Sequence, residues 1–245
     1  LIARIEAGGA IALPYYAGVM SPHKAMLTME GHVVADAVIN TQIVLDPEGR
    51  RRELAELGIP VTQVLSYRQG DEAAWRADPQ GIPLLDVPFY LAQGEYAGIV
   101  DPLVASYSDK NSGEIVAIPE QAAAVVNKAL NLVNLQRKAN VEKKVAMLFW
   151  NYPPGEKNLS ASFMNVPRSL ETTLKAMQAA GYDTRAETEV TLIASLQRLL
   201  APFYRDGELA GLLRDGLAER LPVATYKAWL KRQPQAIQDE IREHW

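Results

Sequence analysis

The fold is decided by the stretch Pro47-Glu-Gly-Arg-Arg-Arg-Glu-Leu-Ala-Glu-Leu57-Gly58 and by the run Pro60-Val-Thr-Gln-Val-Leu-Ser66 that follows it. Residues 47–57 predict a helix, and Gly58 stands where a glycine commonly closes one, because glycine adopts the left-handed backbone conformation without strain. Residues 60–66 are a short apolar run, which predicts a strand. A similar run at residues 37–44 precedes the helix, so the stretch predicts a β-α-β rhythm and a parallel sheet.

Short apolar runs alternate with amphipathic segments on both sides of this unit. The alternation predicts an α/β fold over residues 1–118, with helices on both faces of a parallel, Rossmann-like sheet. A long amphipathic helix at residues 119–138 is predicted to form a bridge, residues 119–140, to a second module at residues 141–245. The other elements predicted in the first module are a strand end and loop at residues 12–18, helices at residues 22–30, 71–77 and 83–93, a strand at residues 98–106 and a polar turn at residues 106–113.

The second module is predicted to begin with a strand, Lys144-Val-Ala-Met-Leu-Phe-Trp150, and to be almost wholly helical after Val166. Between them lies the polar loop Asn151-Tyr152-Pro153-Pro154-Gly155, and Pro167 sets the start of the next helix. Open α/β sheets bind ligands at the carboxyl ends of their strands, so the loop is predicted to face a ligand. The predicted helices of this module cover residues 169–180, 188–200, 207–217, 222–232 and 234–244.

Composition argues against several kinds of function. The 245 residues include 25 basic and 29 acidic ones, and the basic clusters are short and lie beside acidic residues, which argues against nucleic-acid binding. The absence of cysteine removes disulfides, thiolate metal sites and cysteine nucleophiles. No apolar run approaches the ~20 residues that cross a bilayer, and no charged leader is present, so we expect no membrane span and a cytoplasmic location. Because the chain starts without Met and stops at Trp245, we expect it to be a fragment.

Four motifs, in one order, carry a family resemblance. They are Lys143-Lys-Val-Ala-Met-Leu-Phe-Trp150, Asn151-Tyr-Pro-Pro-Gly-Glu-Lys-Asn158, Asn165-Val-Pro-Arg-Ser-Leu-Glu171 and Ala180-Gly-Tyr182. With them the chain resembles the large, tetrapyrrole-binding subunit of the ATP-dependent metal chelatases, and Asn-Tyr before Pro-Pro-Gly is more similar to the cobalt branch. The resemblance covers most of the chain, because further pieces match at Gly58-Ile-Pro-Val61, Ser66-Tyr67, Trp75, Pro79-Gln-Gly81, Leu200-Ala-Pro-Phe-Tyr204 and Pro222-Val-Ala-Thr-Tyr226.

The resemblance implies an activity and a set of partners. A cobaltochelatase inserts cobalt into a corrin ring, hydrogenobyrinic acid diamide, while AAA+ ATPase and integrin-like subunits complete the complex. The sequence has no Gly-x-x-x-x-Gly-Lys-Ser/Thr loop, so ATP would be hydrolysed by those partners and not bound by this chain in the P-loop manner. The isolated fragment is expected to be inactive. The alternatives are a magnesium chelatase large subunit, a non-catalytic tetrapyrrole-binding or carrier paralogue, and a scaffolding module that docks subunits.

The resemblance also implies a metal-handling role for Glu95. Chelatase large subunits carry a Pro-Glu-x-Asp-Gly element before a strand, and the matching stretch is Gly94-Glu95-Tyr96-Ala97-Gly98, in which Ala97 replaces the aspartate. Carboxylate oxygen binds Co²⁺ and Mg²⁺, and a carboxylate could accept one of the two protons that leave the ring. Glu95 is therefore the candidate for catalysis and metal binding. A solvated loop glutamate is the alternative.

The substrate-binding candidates lie in and after the diproline loop, which is the polar loop at residues 151–155. They are Asn151, Tyr152, Pro153, Gly155 and Arg168. The prolines fix the backbone and the glycine permits close approach of a flat ligand. Tyr152 could stack on a macrocycle, and the Arg168 guanidinium could grip a carboxylate arm. The alternatives are a loop that packs on the core and an arginine in a surface ion pair.

His23 is the candidate imidazole ligand. It follows Ser21-Pro22 after a predicted strand end, which is a plausible ligand-side position for axial coordination of cobalt. None of the three histidines of the chain has a second histidine at helical spacing. An ordinary polar histidine is the alternative.

Overall fold

The computed structural model describes residues 1–149 and 152–244. The chain divides into two compact units, Leu1–Ala139 and the residues from Asn140 onward. The boundary follows the long helix that was predicted to bridge two modules, because that helix packs on the sheet of the first unit.

The first unit contains a four-stranded sheet, and helices and strands alternate over residues 38–108 as the sequence predicted. Its helices are α1 (Ile2–Ala7), α2 (Lys24–Leu27), α3 (Pro47–Leu57), α4 (Glu72–Ala77), α5 (Gln93–Tyr96) and α6 (Pro119–Arg137). Its strands are β1 (Thr28–Met29), β2 (His32–Val33), β3 (Val38–Asn40), β4 (Val61–Tyr67), β5 (Val100–Ser108) and β6 (Ile115–Ala117).

The main sheet has the strand order β3-β4-β5-β6. β3, β4 and β5 are parallel, with Val38 opposite Val61 at the start of the β3 and β4 pair. β6 runs antiparallel to β5 and forms one edge. The predicted α/β class with a parallel sheet is confirmed, and the antiparallel edge strand is an addition, because the polar turn after β5 returns the chain directly alongside it.

Local signals fix the helix between β3 and β4. The Asp46 side chain accepts a hydrogen bond from the backbone N–H of Gly49 and so caps the start of α3. Gly58 ends the helix in the left-handed conformation, at φ 64°. Both boundaries of the predicted helix at residues 47–57 are confirmed.

β4 is buried on both faces by helices. Val61 packs with Leu54 and Leu57 of α3 on one face of the sheet. On the other face, Val64 and Ala105 pack with Val125 of α6. The expected helices on both faces are therefore present, and a strand covered in this way reads as a nearly continuous apolar run.

Two helix predictions in the first unit are wrong in extent. Residues 22–30 form the short α2 and then enter a hairpin of β1 and β2, where Glu30 and Gly31 take positive φ. Residues 84–96 are helical, but they change from a 3₁₀ turn (Leu84–Asp86) to a π-helix (Val87–Ala92) before α5. The spacing of apolar residues in the sequence indicates neither the hairpin nor the change of helix type.

The second unit is mostly helical. Its helices are α7 (Val166–Ala179), α8 (Glu189–Leu200), α9 (Glu208–Arg214), α10 (Val223–Leu230) and α11 (Gln235–His244), with a 3₁₀ turn at Asn140–Glu142 and another at Ala201–Phe203. Its two short strands, β7 (Ser160–Ala161) and β8 (Met164–Asn165), pair with each other. The five predicted helices are confirmed with small changes at their ends.

The strand predicted at residues 144–150 is not formed over the residues that the structure describes. Residues 144–149 have no strand pairing, and Leu148 is 98% exposed. Trp150 lies outside the described residues. The apolar pattern of a strand is present in the sequence, but no described strand lies alongside it to supply hydrogen bonds.

No helix in the described part of the chain is long and apolar enough to cross a membrane.

Replacing the buried Val64 of β4 with alanine should lower the free energy of unfolding of the first unit by about 1–3 kcal/mol, because apolar contacts are lost on a face that α6 covers. Val100 of β5 is 44% exposed and is the matched control. Val100→Ala should change stability by less than about 0.5 kcal/mol. Urea denaturation followed by circular dichroism measures both. Equal losses would contradict the two-face burial of β4.

Candidate functional site

His23 lies at the rim of a narrow cleft in the first unit. The Tyr15 hydroxyl lies 2.8 Å from His23 Nδ1, and the two rings meet edge to face. The cleft has polar and apolar walls, and its space is enough for about one water molecule, far too small to enclose a macrocycle. The residues that line it are Tyr15, His23, Leu27, Val38, Asn40, Ile43, Val44, Arg50, Leu54, Val61 and Ile99.

A mostly buried ion pair stands beside this histidine. Arg50 pairs with Glu53 one turn along α3, and its guanidinium also donates to the Ser21 carbonyl at 3.2 Å. The backbone N–H of Lys24 donates to Glu53 Oε1 at 2.6 Å. Burial, followed by the nearby Arg50 charge, lowers the pKa of His23 below its ordinary value of 6.5. The imidazole is therefore neutral at pH 7, which is the form that binds a metal ion.

Glu95 lies on α5, and its side chain is exposed. The helix is held against α3, because the Tyr96 hydroxyl donates to Glu48 Oε2 at 2.6 Å and Arg51 stands over the Tyr96 ring at 5.4 Å. Ala97 stands where the Pro-Glu-x-Asp-Gly element has its aspartate. It is 1% exposed and packs in the apolar cluster of Leu27, Leu54 and Leu57. In this chain the side chain at position 97 is therefore unavailable to a metal ion.

The diproline loop is closed by one amide. Asn158 Nδ2 donates to the carbonyls of Pro153 at 3.0 Å and Pro154 at 3.4 Å. A Cβ at Gly155 would lie 2.9 Å from the same nitrogen, so glycine makes room for the Asn158 side chain. The backbone N–H of Tyr152 donates to Ser160 at 2.8 Å, and the Tyr152 side chain is 60% exposed. The loop therefore presents an aromatic ring on a fixed backbone.

Arg168 lies at the start of α7, beside a shallow groove. Asn165 caps this helix by accepting from the backbone N–H of Arg168 at 3.0 Å, and its own amide donates to Glu189 Oε1 at 2.6 Å. Asn165, Arg168, Ser169, Thr172 and Thr173 line the groove. The hydroxyls of Ser169, Thr172 and Thr173 each donate to a backbone carbonyl one turn earlier. The Arg168 guanidinium is therefore the donor in this groove that suits a carboxylate ligand.

The structure brings some predicted site residues together and separates others. Tyr152, Pro153, Gly155 and Arg168 lie in the second unit, whereas His23 and Glu95 lie in the first. Glu95 does not line the cleft that holds His23. Asn151 lies outside the described residues. Within the described ranges, no group of three or more histidines and carboxylates could hold a metal ion.

Sequence reasoning did not find the surroundings of His23. Tyr15 meets His23 across a loop, and no repeating pattern joins two residues eight positions apart. Arg50 was assigned no role from the sequence, although Arg50 lines the cleft. Arg50 and Glu53 are three residues apart on a predicted helix, and this spacing could have predicted their ion pair.

A family model described as CobN/Magnesium Chelatase matches residues 1–245, and therefore both groups of candidate residues. The chain belongs to the CobN/Magnesium Chelatase family. The family resemblance predicted from the motifs is thus confirmed.

Relatives of this CobN/Magnesium Chelatase chain carry names from both branches. The aerobic cobaltochelatase subunit CobN of Sinorhizobium sp is 26% identical over all of this chain and 20% of its own length. The chloroplastic magnesium-chelatase subunit ChlH of Oryza sativa subsp. indica is 25% identical over 75% of this chain and 14% of its own length. The chain therefore spans a fifth or less of the length of these relatives.

A solved structure shares the fold of this CobN/Magnesium Chelatase chain. The catalytic subunit of cobaltochelatase from Mycobacterium tuberculosis matches with a TM-score of 0.72 at 23% identity. The match covers all of this chain and 21% of the solved chain.

The lowered pKa of His23 predicts how this member of the CobN/Magnesium Chelatase family responds to pH. The unfolded chain binds a proton at His23 near pH 6.5, and the folded chain does so only at lower pH. The contribution of His23 to stability is therefore complete above pH 6.5 and is lost as the pH falls through the folded pKa. An NMR titration should place the His23 midpoint below 6.5. Arg50→Gln should move it upward, because the Arg50 charge disfavours protonation.

Arg52→Gln is the control, because Arg52 lies on the same helix, is exposed and does not contribute to the His23 shift. A His23 midpoint at or above 6.5, or an equal response to both substitutions, would contradict this electrostatic account.

Asn158→Ala should loosen the diproline loop without unfolding α7. The carbonyls of Pro153 and Pro154 lose their hydrogen bonds to the Asn158 side chain, and Gly155 loses its contact with it. Amide hydrogen exchange at residues 152–160 should become about tenfold faster, corresponding to the loss of about 1.4 kcal/mol of local stability. Asn111→Ala, at an exposed turn of the first unit, is the control. Unchanged exchange would show that the prolines alone fix the loop.

Proposed function

We propose that this chain forms part of the large subunit of a cobaltochelatase, a multi-subunit enzyme that inserts cobalt into a corrin ring such as hydrogenobyrinic acid diamide. The observation that carries the proposal is the family match over both groups of candidate residues. The chain spans about a fifth of the length of its relatives. We therefore expect the activity to belong to a longer protein and the 245 residues alone to be inactive. AAA+ ATPase and integrin-like partners supply the energy in the cytoplasm.

In this proposal Glu95 handles the metal or the ring protons. Insertion of a divalent cation releases two protons from the ring nitrogens, and an exposed carboxylate can accept a proton or pass Co²⁺ to the ring. Tyr96 contacts Glu48 and Arg51 of α3, and these two contacts hold α5 against α3. The Glu95 carboxylate is therefore presented from a supported helix. The exposure of Glu95 leaves it accessible to a substrate.

The second unit would hold the ring. Tyr152 offers an exposed aromatic face for stacking on a macrocycle. Pro153 and the Asn158 hydrogen bonds, for which Gly155 leaves room, would keep that face in place. Asn151, which precedes Tyr152 in the sequence, is proposed for the same contact. Arg168, in the groove along α7, would bind a carboxylate arm of the ring.

His23 is the proposed axial ligand for cobalt. If Nδ1–H donates to the Tyr15 oxygen, Nε2 keeps a free lone pair, and tyrosine thereby fixes the tautomer that a metal requires. The lowered pKa supports the same neutral form. Because the cleft is too small for a macrocycle, His23 would act at its rim.

The buried Ala97 favours a second candidate function. Because Ala97 takes the place of the aspartate in the Pro-Glu-x-Asp-Gly element, the chain has one carboxylate fewer to bind a metal ion. The residues around Ala97 form an apolar cluster. A non-catalytic tetrapyrrole-binding or carrier protein would need the second unit but not Glu95. Magnesium is the alternative metal, because relatives of both branches match at similar identity.

Cobalt insertion by the complete protein with its ATPase partners tests the proposal. Glu95→Gln should lower the insertion rate at least about 100-fold, which is the usual contribution of a positioned acid or base. Ring affinity, measured by the absorbance shift on titration with the corrin, should stay within about twofold, because the ring contacts lie elsewhere. Glu114→Gln, another exposed glutamate of the first unit, should alter neither quantity.

Each other outcome identifies a rival. Tight ring binding without insertion by the unsubstituted protein would support the carrier. Insertion of magnesium but not cobalt would assign the other branch. No absorbance shift with any tetrapyrrole would leave a docking role, and equal activity of Glu95→Gln and Glu114→Gln would remove Glu95 from the mechanism.

A further inference from the structure

Residues 144–149 have the sequence of an interior strand but the surroundings of a surface segment. The run Val145-Ala-Met-Leu-Phe149 is continuously apolar, as in strands that are covered on both faces of a parallel sheet. Leu148 is 98% exposed, and Val145, Met147 and Phe149 are also exposed. Buried β4 in the first unit shows what such a run looks like when its sheet is present.

Both ends of the segment are anchored to the region around α7. Upstream, Asn140 Nδ2 donates to the Ala180 carbonyl just after the helix at 2.7 Å, and Lys143 Nζ stands 5.9 Å from the centre of the Tyr182 ring. Downstream, the backbone N–H of Tyr152 donates to the Ser160 carbonyl in β7, and Ser160 pairs with Asn165, the residue that caps the start of α7. The segment therefore runs antiparallel to the helix, from its end back to its beginning.

This geometry is that of a strand and its crossover helix. A helix of 14 residues is about 21 Å long, and residues 143–152 in extended form reach about 30 Å, enough to span it. In a β-α-β unit the helix returns antiparallel to the first strand and lies over the sheet. The order and direction of residues 144–149 and α7 match the first half of such a unit.

The other strands of that sheet are not found in the second unit. Over the described residues of this unit, the strands are β7 and β8, each of two residues and each paired with the other. Buried residues are also few there, namely Val166, Pro167, Ala201 and Leu212. The unit thus exposes apolar surface that a helical module of its own does not cover.

We infer that residues 144–149 form a strand of a parallel sheet whose neighbouring strands come from the same polypeptide beyond residues 1–245. Relatives that match the whole chain are about five times as long, which supplies the length for a second sheet. Residues 145–149 are apolar on both faces, which is typical of a strand buried within a sheet and not of a ligand-binding segment. This inference concerns assembly of the protein and does not depend on the proposed chelatase activity.

Amide hydrogen exchange of the complete protein, without ring or metal, tests the inference. Residues 145–149 should exchange at least about 100-fold more slowly than residues 183–187, an irregular segment of the same unit, because ladder hydrogen bonds protect them. Leu148→Lys should lower the melting temperature of the complete protein or abolish soluble expression. Val190→Lys is the matched control, because Val190 is 77% exposed on α8.

Several outcomes would overturn the inference. They are exchange at residues 145–149 as fast as at residues 183–187, equal tolerance of both lysine substitutions, or protection that grows with protein concentration and so indicates a second copy. A gene that encodes no residues beyond these 245 would do the same. If Leu148→Lys fails to fold, the exchange of the unsubstituted protein still decides the question.

Discussion

Burial of β4 on both faces is the constraint on which the first unit depends. Its residues lie between α3 on one side and α6 on the other, and the strand pairs with β3 and β5 along its two edges. The same packing fixes α3, and with it Arg50, so the cleft beside His23 is a consequence of how β4 is covered. Ala97 contributes to that packing too, which is why a metal-binding side chain has no room at its position.

The second unit follows a different rule, because it is organised by hydrogen bonds and helix caps more than by a core. Asn158 closes the diproline loop, and Asn165 both caps α7 and reaches Glu189 of α8. These amides position Tyr152 and Arg168 without burying them. A surface built in this way is suited to receive something larger, whether a ring or the rest of a longer chain.

The sequence predicted most of the fold where local chemistry sets the boundaries. Gly58 ended α3 as expected, and the amphipathic spacing of α6 and α8 located both helices. Prediction failed where the outcome depends on contacts between distant residues. Residues 144–149 carry a strand pattern, but a strand also needs neighbours, and periodicity says nothing about whether they are present. The short β6 was hidden behind a polar turn for the same reason.

The candidate site could be predicted only in part. The loop at residues 151–155 and Arg168 stood out through their motifs, and the family match covers them. The pairing of Tyr15 with His23 and the wall formed by Arg50 required the tertiary structure, because residues from a loop and two helices meet there. Glu95 was found from a motif, and its exposure leaves its role to experiment.

The central claim is that the ordered loop and the start of α7 present the ring-binding surface of a chelatase large subunit. The most direct measurement is an amide-exchange footprint of the complete protein with and without hydrogenobyrinic acid diamide. The account predicts slower exchange at residues 152–158 and 166–169 when the ring is bound. Ring binding that leaves both segments unchanged and protects other parts of the protein would contradict it.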